Sequence, residues 1–127
     1  MTMKYRVIQR GQPGVVGGGE KKYYAVPVTS GTLSTSDMIK SIEKISTVSG
    51  ADVQGSVYGM VDVSIDGLLA GRKVELGDLG SFRIGFSSEG KENEEDVTAS
   101  VIKRVKIVFT PGPRLKEALK NVKFEKE

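Results

Sequence analysis

Cations are the residues of this sequence best placed to do chemistry. Lys103, Arg104 and Lys106 stand within a run that also holds Ile102, Val105, Ile107, Val108 and Phe109. If that run is a strand, the three can meet phosphate oxygens; they also suit a solvated strand face. Lys116, Lys120 and Lys123 recur at i, i+4 and i+7 beside Leu115, Leu119 and Val122, a spacing that would draw a basic ridge along a helix. Lysines near a helix C-terminus also complement the helix dipole without binding anything. Arg6, Arg10, Lys21 and Lys22 flank a glycine-rich stretch, from Gly11-Gln12-Pro13-Gly14 to Gly17-Gly18-Gly19. Such a stretch cannot pack a core and is expected to be mobile. This basic loop can share in polyanion binding or be a disordered hairpin tip.

The remaining candidates are weaker. Glu92, Glu94, Glu95 and Asp96 lack the spacing and the glycine of a calcium loop, so they read as a solvated acidic tip, and no metal is expected. Gly17 to Gly19 lead into Glu20-Lys21-Lys22, without the Gly-Lys-Ser/Thr ending of a phosphate loop. The 127 residues contain no Cys and no His, and no Trp either. Disulfides, Cys/His zinc sites, thiol nucleophiles and histidine bases are therefore excluded. Carboxylate, lysine or serine catalysis survives in principle, but no constellation supports an enzyme, a cofactor or a small-molecule substrate. Nothing after Met1-Thr2-Met3-Lys4 is apolar for long enough to be a signal peptide or a membrane span, so a cytoplasmic protein with no membrane partner is expected.

The net charge is +3, from 19 basic and 16 acidic residues. That excess permits a nucleic-acid partner without demanding one. It is unevenly spread: net +4 over residues 1–32, −3 over 33–71, zero over 72–110 and +2 over 111–127. The hydrophobic share of 38% suits one domain with a core, with room for an appendage.

Elements must position these charges. Tyr5-Arg6-Val7-Ile8 and Tyr23-Tyr24-Ala25-Val26 read as two strands around the glycine-rich loop, with Pro27 limiting the second to an edge or a strand end. Residues 34–50 read as a helix: Ser34 and Asp37 have a capping-box-like spacing, Met38, Ile42 and Ile45 share a face, and Gly50 is a natural terminator. Residues 51–70 read as a second helix with an unusually wide apolar stripe from Val53 to Leu69, which predicts burial against a second layer or a second subunit. Val74 and Leu76, then Phe82, Ile84 and Phe86, alternate as strands do. A polar stretch over residues 87–100 leads to a third strand. Strict alternation there places Val101, Lys103, Val105, Ile107 and Phe109 on one face, and Ile102, Arg104, Lys106 and Val108 on the other. Two strands joined by so long a polar link predict a protruding hairpin. Pro113 suits the first turn of a closing helix.

Two segments carry a resemblance. Lys73-Val74-Glu75-Leu76-Gly77-Asp78-Leu79-Gly80-Ser81-Phe82 places a glycine two residues before a phenylalanine. Phe109-Thr110-Pro111-Gly112-Pro113-Arg114-Leu115-Lys116 fits a closing Phe-x-x-Gly-x-x-Leu-Lys pattern. In this order the two resemble the HU / integration host factor family of bacterial histone-like DNA-binding proteins, over about residues 33–123. Tyr23-Tyr24-Ala25-Val26-Pro27-Val28 is similar to an HU-related branch with an N-terminal extension.

The resemblance implies an α+β, HU-like fold: a two-helix base, a three-stranded antiparallel sheet with a protruding β-arm and a short C-terminal helix, in an intertwined homodimer. Residues 1–32 would be an added β-hairpin, 33–123 the DNA-binding domain and 124–127 a tail. The implied partner is double-stranded DNA, held in the bacterial nucleoid with weak sequence preference. Minor-groove bending and DNA condensation belong to the family's mode. Arg83, Lys91, Lys103, Arg104, Lys106, Arg114 and Lys116 are the residues this would use. The family's arm tip is Arg-Asn-Pro, its proline a wedge between bases. Here Gly90-Lys91-Glu92-Asn93-Glu94-Glu95-Asp96 has no proline and four acids, so intercalation is not expected. Gly85 and Ser87 stand where charge is common in the family, as do Thr110 and Pro113. The alternative is an HU-fold scaffold or protein-interaction module that has lost most DNA contacts.

Overall fold

The structure, a computed structural model, describes residues 1–127. The chain forms two compact units: a central unit of residues 35–117, and a terminal unit of residues 1–34 with 118–127. No helix is long and apolar enough to cross a membrane.

In the terminal unit, β1 (Met3–Arg10) and β2 (Lys22–Val28) pair antiparallel, from Lys4 opposite Val28 to Arg10 opposite Lys22. β2 is an edge strand, the setting that tolerates Pro27. The loop between them is tied by its own bonds rather than left open. Gln12 N donates to Gly18 O at 2.7 Å, and Gln12 Nε2 donates to Glu20 O at 2.9 Å.

Along the rest of the chain, α1 spans Thr35–Ile45, α2 Gly50–Leu69, β3 Val74–Glu75, β4 Gly80–Ser88, β5 Ile102–Pro111 and α3 Pro113–Leu119. The central sheet has the order β3-β4-β5 and is antiparallel throughout. α1 lies against α2. Gly50 begins α2 instead of ending α1, because Ser49 caps the second helix: its Oγ accepts from Asp52 N at 3.2 Å. Ser46 competes with helical bonding after Ile45, its Oγ accepting from Val48 N. α2 closes with Gly71 N donating to Leu68 O and Arg72 N to Gly67 O, the paired bonds of a Schellman end.

Residues 124–127 do not form a loose tail. Phe124–Lys126 make β6, parallel to β1, with Met3 N donating to Lys123 O and Glu127 N to Tyr5 O, both at 2.8 Å. This follows from α3 ending at Leu119, where Asn121 N turns back to Ala118 O. Lys120 and Lys123 therefore leave the helix, and the expected lysine ridge along it is not formed. The protruding β-arm is also absent as strands. Pairing ends at Ser88 opposite Ile102, and residues 89–101 hold two short 3-10 turns, Glu94–Asp96 and Ala99–Val101. Four carboxylates in five residues favour local turns over a ladder that would align like charges.

One apolar sheet face carries Phe82 directly opposite Phe109, their rings 4.9 Å apart. Yet Val53 and Val101 are the only buried hydrophobic side chains. On α2, Val63 is 72% exposed and Leu69 76% exposed. A groove of about 900 Å³, lined among others by Met60, Val63, Val74, Leu76 and Leu79, runs between α2 and the β3 region.

Candidate nucleic-acid interface

The two ends of β4 and β5 are set by glycines. Gly80 has φ 148°, and a Cβ there would strike Thr110 O and sit 2.8 Å from the Phe109 ring. Only glycine lets the β3–β4 turn approach β5 so closely. Gly112 N then donates to Leu79 O at 2.9 Å, fixing the start of α3 beside that turn. Arg114 and Lys116 ride on α3, exposed.

The other end carries a β-bulge. Gly85 pairs with Lys106, but Ser87 pairs with Lys103. Arg104 and Val105 together therefore oppose Phe86, and Arg104 takes φ 54° to absorb the extra residue. The bulge reverses the side-chain parity of β5. Beyond it, Lys103 moves to the face of Ser87, and Ile102 moves to the face of Ser88 and Phe86. The strict alternation expected over this strand is corrected accordingly: Lys103 leaves the apolar face and joins Lys106 and Arg83.

That face comprises Ser81, Arg83, Gly85 and Ser87 of β4 with Lys103, Lys106, Val108 and Thr110 of β5. Its one acid is Glu75 of β3, opposite Ser81 at the edge of the sheet and 3.8 Å from Lys73; the three cations of β4 and β5 have no ion pair. Gly85 is at its centre. A Cβ built there would lie 3.0 Å from Val108 Cγ2, 3.7 Å from Lys106 Cε and 3.9 Å from Arg83 Nη1. The missing side chain thus leaves the space into which Lys106 and Arg83 converge. Ser87 Oγ donates to Lys103 O at 3.2 Å, bracing the strand beside the bulge. Like charges gathered on one sheet face repel unless an anion lies across them. Backbone phosphates are such anions.

Of the seven residues singled out in the sequence, the structure brings Arg83, Lys103 and Lys106 together, with Arg104 at the adjoining bulge. Lys91 is apart, in the acidic link, 3.9 Å from Glu89. Arg114 and Lys116 follow the far end of β5, roughly 25 Å of strand from Lys103 at about 3.3 Å per residue. The sequence reading missed Gly85 as a part of the site. The bulge had one signal: a lysine interrupting the stripe Val101, Val105, Ile107, Phe109.

Two helices, a three-stranded antiparallel sheet with a long β4–β5 connection and a short closing helix make an HU-like α+β fold. The chain belongs to the HU-HIG family, described as an HU domain fused to wHTH, Ig, or glycine-rich motif, which it matches over residues 1–126. Among solved structures, it shares its fold with a candidate bacterial DNA-binding protein from Bacteroides vulgatus ATCC 8482, with a TM-score of 0.67 and 16% identity. The match covers 98% of this chain and 47% of that one, so this chain spans about half the length of its structural relative. No curated protein matches it.

Proposed function

We propose that this chain is a histone-like architectural protein of the bacterial nucleoid, which binds duplex DNA with weak sequence preference as a homodimer. The observation that carries the reading is the face of Arg83, Lys103 and Lys106, three cations without an ion pair, assembled by the Arg104 bulge. It offers backbone phosphates a group of cations, and phosphate contacts give affinity without sequence readout. The exposed apolar stripe of α2 and the groove beside it support a second copy as the missing half of the core. Lys103, Lys106 and Arg83 hold the duplex, with Arg104, Arg114 and Lys116 as flanking contacts. Lys91 contributes little, paired as it is with Glu89.

Duplex titrations at several salt concentrations test this. Log affinity falls linearly with log salt, and Lys103→Ala or Arg104→Ala each makes the slope shallower by about 0.9. A slope near zero would overturn the reading. The central unit holds eleven basic and thirteen acidic residues, which favours a second reading, an HU-fold scaffold for other proteins. Gel shifts on linear and pre-bent duplexes separate the two: tighter binding to the bent form supports the architectural role, and no binding at low salt supports the scaffold.

A further inference from the structure

The positive charge of this chain does not reside in its HU-like unit. The terminal unit holds eight basic residues against Glu20, Glu125 and Glu127, a net +5, while the central unit is net −2. Strand register then sorts part of that charge. Lys4, Arg6, Ile8 and Arg10 alternate along β1 and so share a face, and Arg10 is directly opposite Lys22. The same face carries Tyr24, opposite Ile8, and Val26, opposite Arg6. Four exposed cations thus share one side of a small sheet, set among half-buried apolar residues. The opposite side carries Met3, Val7, Tyr23 and Phe124. The Arg10 guanidinium lies 4.6 Å from the Tyr24 ring centroid, a cation–π contact that holds it against the sheet. Lys4, Arg6 and Lys22 have no ion pair. The acids at this face are at its β6 border: Glu125, in register with Lys4 and accepting from Thr2 Oγ1 at 3.3 Å, and Glu127, two residues on, whose N–H donates to Tyr5 O.

We infer that the Lys4, Arg6, Arg10 and Lys22 face of the terminal sheet is a second contact surface for the phosphates of duplex DNA. The inference rests on the nucleic-acid reading and extends it to an element that the family resemblance left without a role. Charge complementarity selects the partner. Lys4 and Arg6 are about 6.8 Å apart along β1 and Arg10 about 14 Å further on, all exposed, with acids only along the β6 border. An extended polyanion fits that row better than a compact acidic ligand.

The test uses the full chain in three forms: unaltered, Lys4→Gln/Arg6→Gln/Lys22→Gln, and Arg83→Gln/Lys103→Gln/Lys106→Gln. Each is titrated with a random-sequence duplex across a range of salt. The terminal substitutions lower the slope of log affinity on log salt by about 2 to 3, at about 0.9 per lost phosphate contact. In the unaltered chain, duplex also protects Lys4 and Lys22 from acetylation, a readout that does not depend on any variant folding. An unchanged slope with equal acetylation overturns the inference, and loss of binding in the central variant alone then leaves the proposed function standing. The converse, loss in the terminal variant alone, overturns the central site and supports this one. Failure of the unaltered chain to bind duplex overturns both. Protection of Lys4 and Lys22 by polyglutamate but not by duplex overturns the assignment to nucleic acid.

Discussion

At Arg104 the backbone adopts a conformation that costs an L-residue roughly 1 to 2 kcal/mol, at φ 54°. Glycine escapes that cost, whereas alanine does not. Arg104→Gly is therefore expected to be about 1 kcal/mol more stable than Arg104→Ala, measured by chemical denaturation. Equal stability would mean that the bulge does not persist. Gly85 gives a second residue-level prediction. Gly85→Val removes no charge, but its side chain would press Val108, 3.0 Å from the new Cβ, and part Lys106 from Arg83. Duplex affinity is expected to fall severalfold at constant net charge, read by fluorescence anisotropy; unchanged affinity would show that the spacing of the two cations is unimportant. At this scale the sequence showed which charges were present but not which would meet. Lys103 interrupts an apolar stripe, yet alternation alone cannot say where a strand takes in an extra residue. That is decided by pairing with β4, a partner about twenty positions away in sequence.

The elements were more legible, because periodicity reports burial directly. α2, β4 and β5 follow from the spacing of Val53 to Leu69, Phe82 to Phe86 and Val105 to Phe109. Their ends were harder to read. Gly50 suits either a stop or a start, and the side chain of Ser49 decides it. Ser49→Ala should lower stability by about 1 kcal/mol in urea denaturation, with the loss localised to the start of α2 by amide exchange. Gly80 is the stricter constraint. With φ at 148° and the Phe109 ring only 2.8 Å from where an alanine methyl would sit, Gly80→Ala should cost several kcal/mol and lower Tm sharply in a thermal melt. A melt close to the unaltered chain's would show that the β3–β4 turn can back away from β5. β6 gave no sequence signal. Three residues, Phe124-Glu125-Lys126, are too few for a period, and their pairing with β1 depends on α3 having ended early.

At the scale of the molecule, a chain of 127 residues with only two buried apolar side chains supports the proposed second copy. The width of the α2 stripe in the sequence points to a second layer or a second subunit. Association with a second copy predicts a solution mass near twice 13.7 kDa and a Tm that rises with protein concentration. Val63→Lys, which places a charge in the α2 groove, should halve the mass seen by light scattering and remove the concentration dependence. An unaltered chain that is monomeric, with a concentration-independent Tm, would refute the dimer. The parallel pairing of β1 with β6 has a different consequence, which concerns the order of synthesis. The middle strand of the terminal sheet gains its second neighbour only when the ribosome has released the segment around Phe124, some 120 residues after β1 was made. Joining ends so distant costs about 4 kcal/mol of chain entropy. Until then, the border of Met3–Tyr5 that β6 covers stands bare and can recruit a strand from a neighbouring nascent chain. Prematurely terminated products, more than finished ones, are the molecules that this architecture leaves prone to clumping.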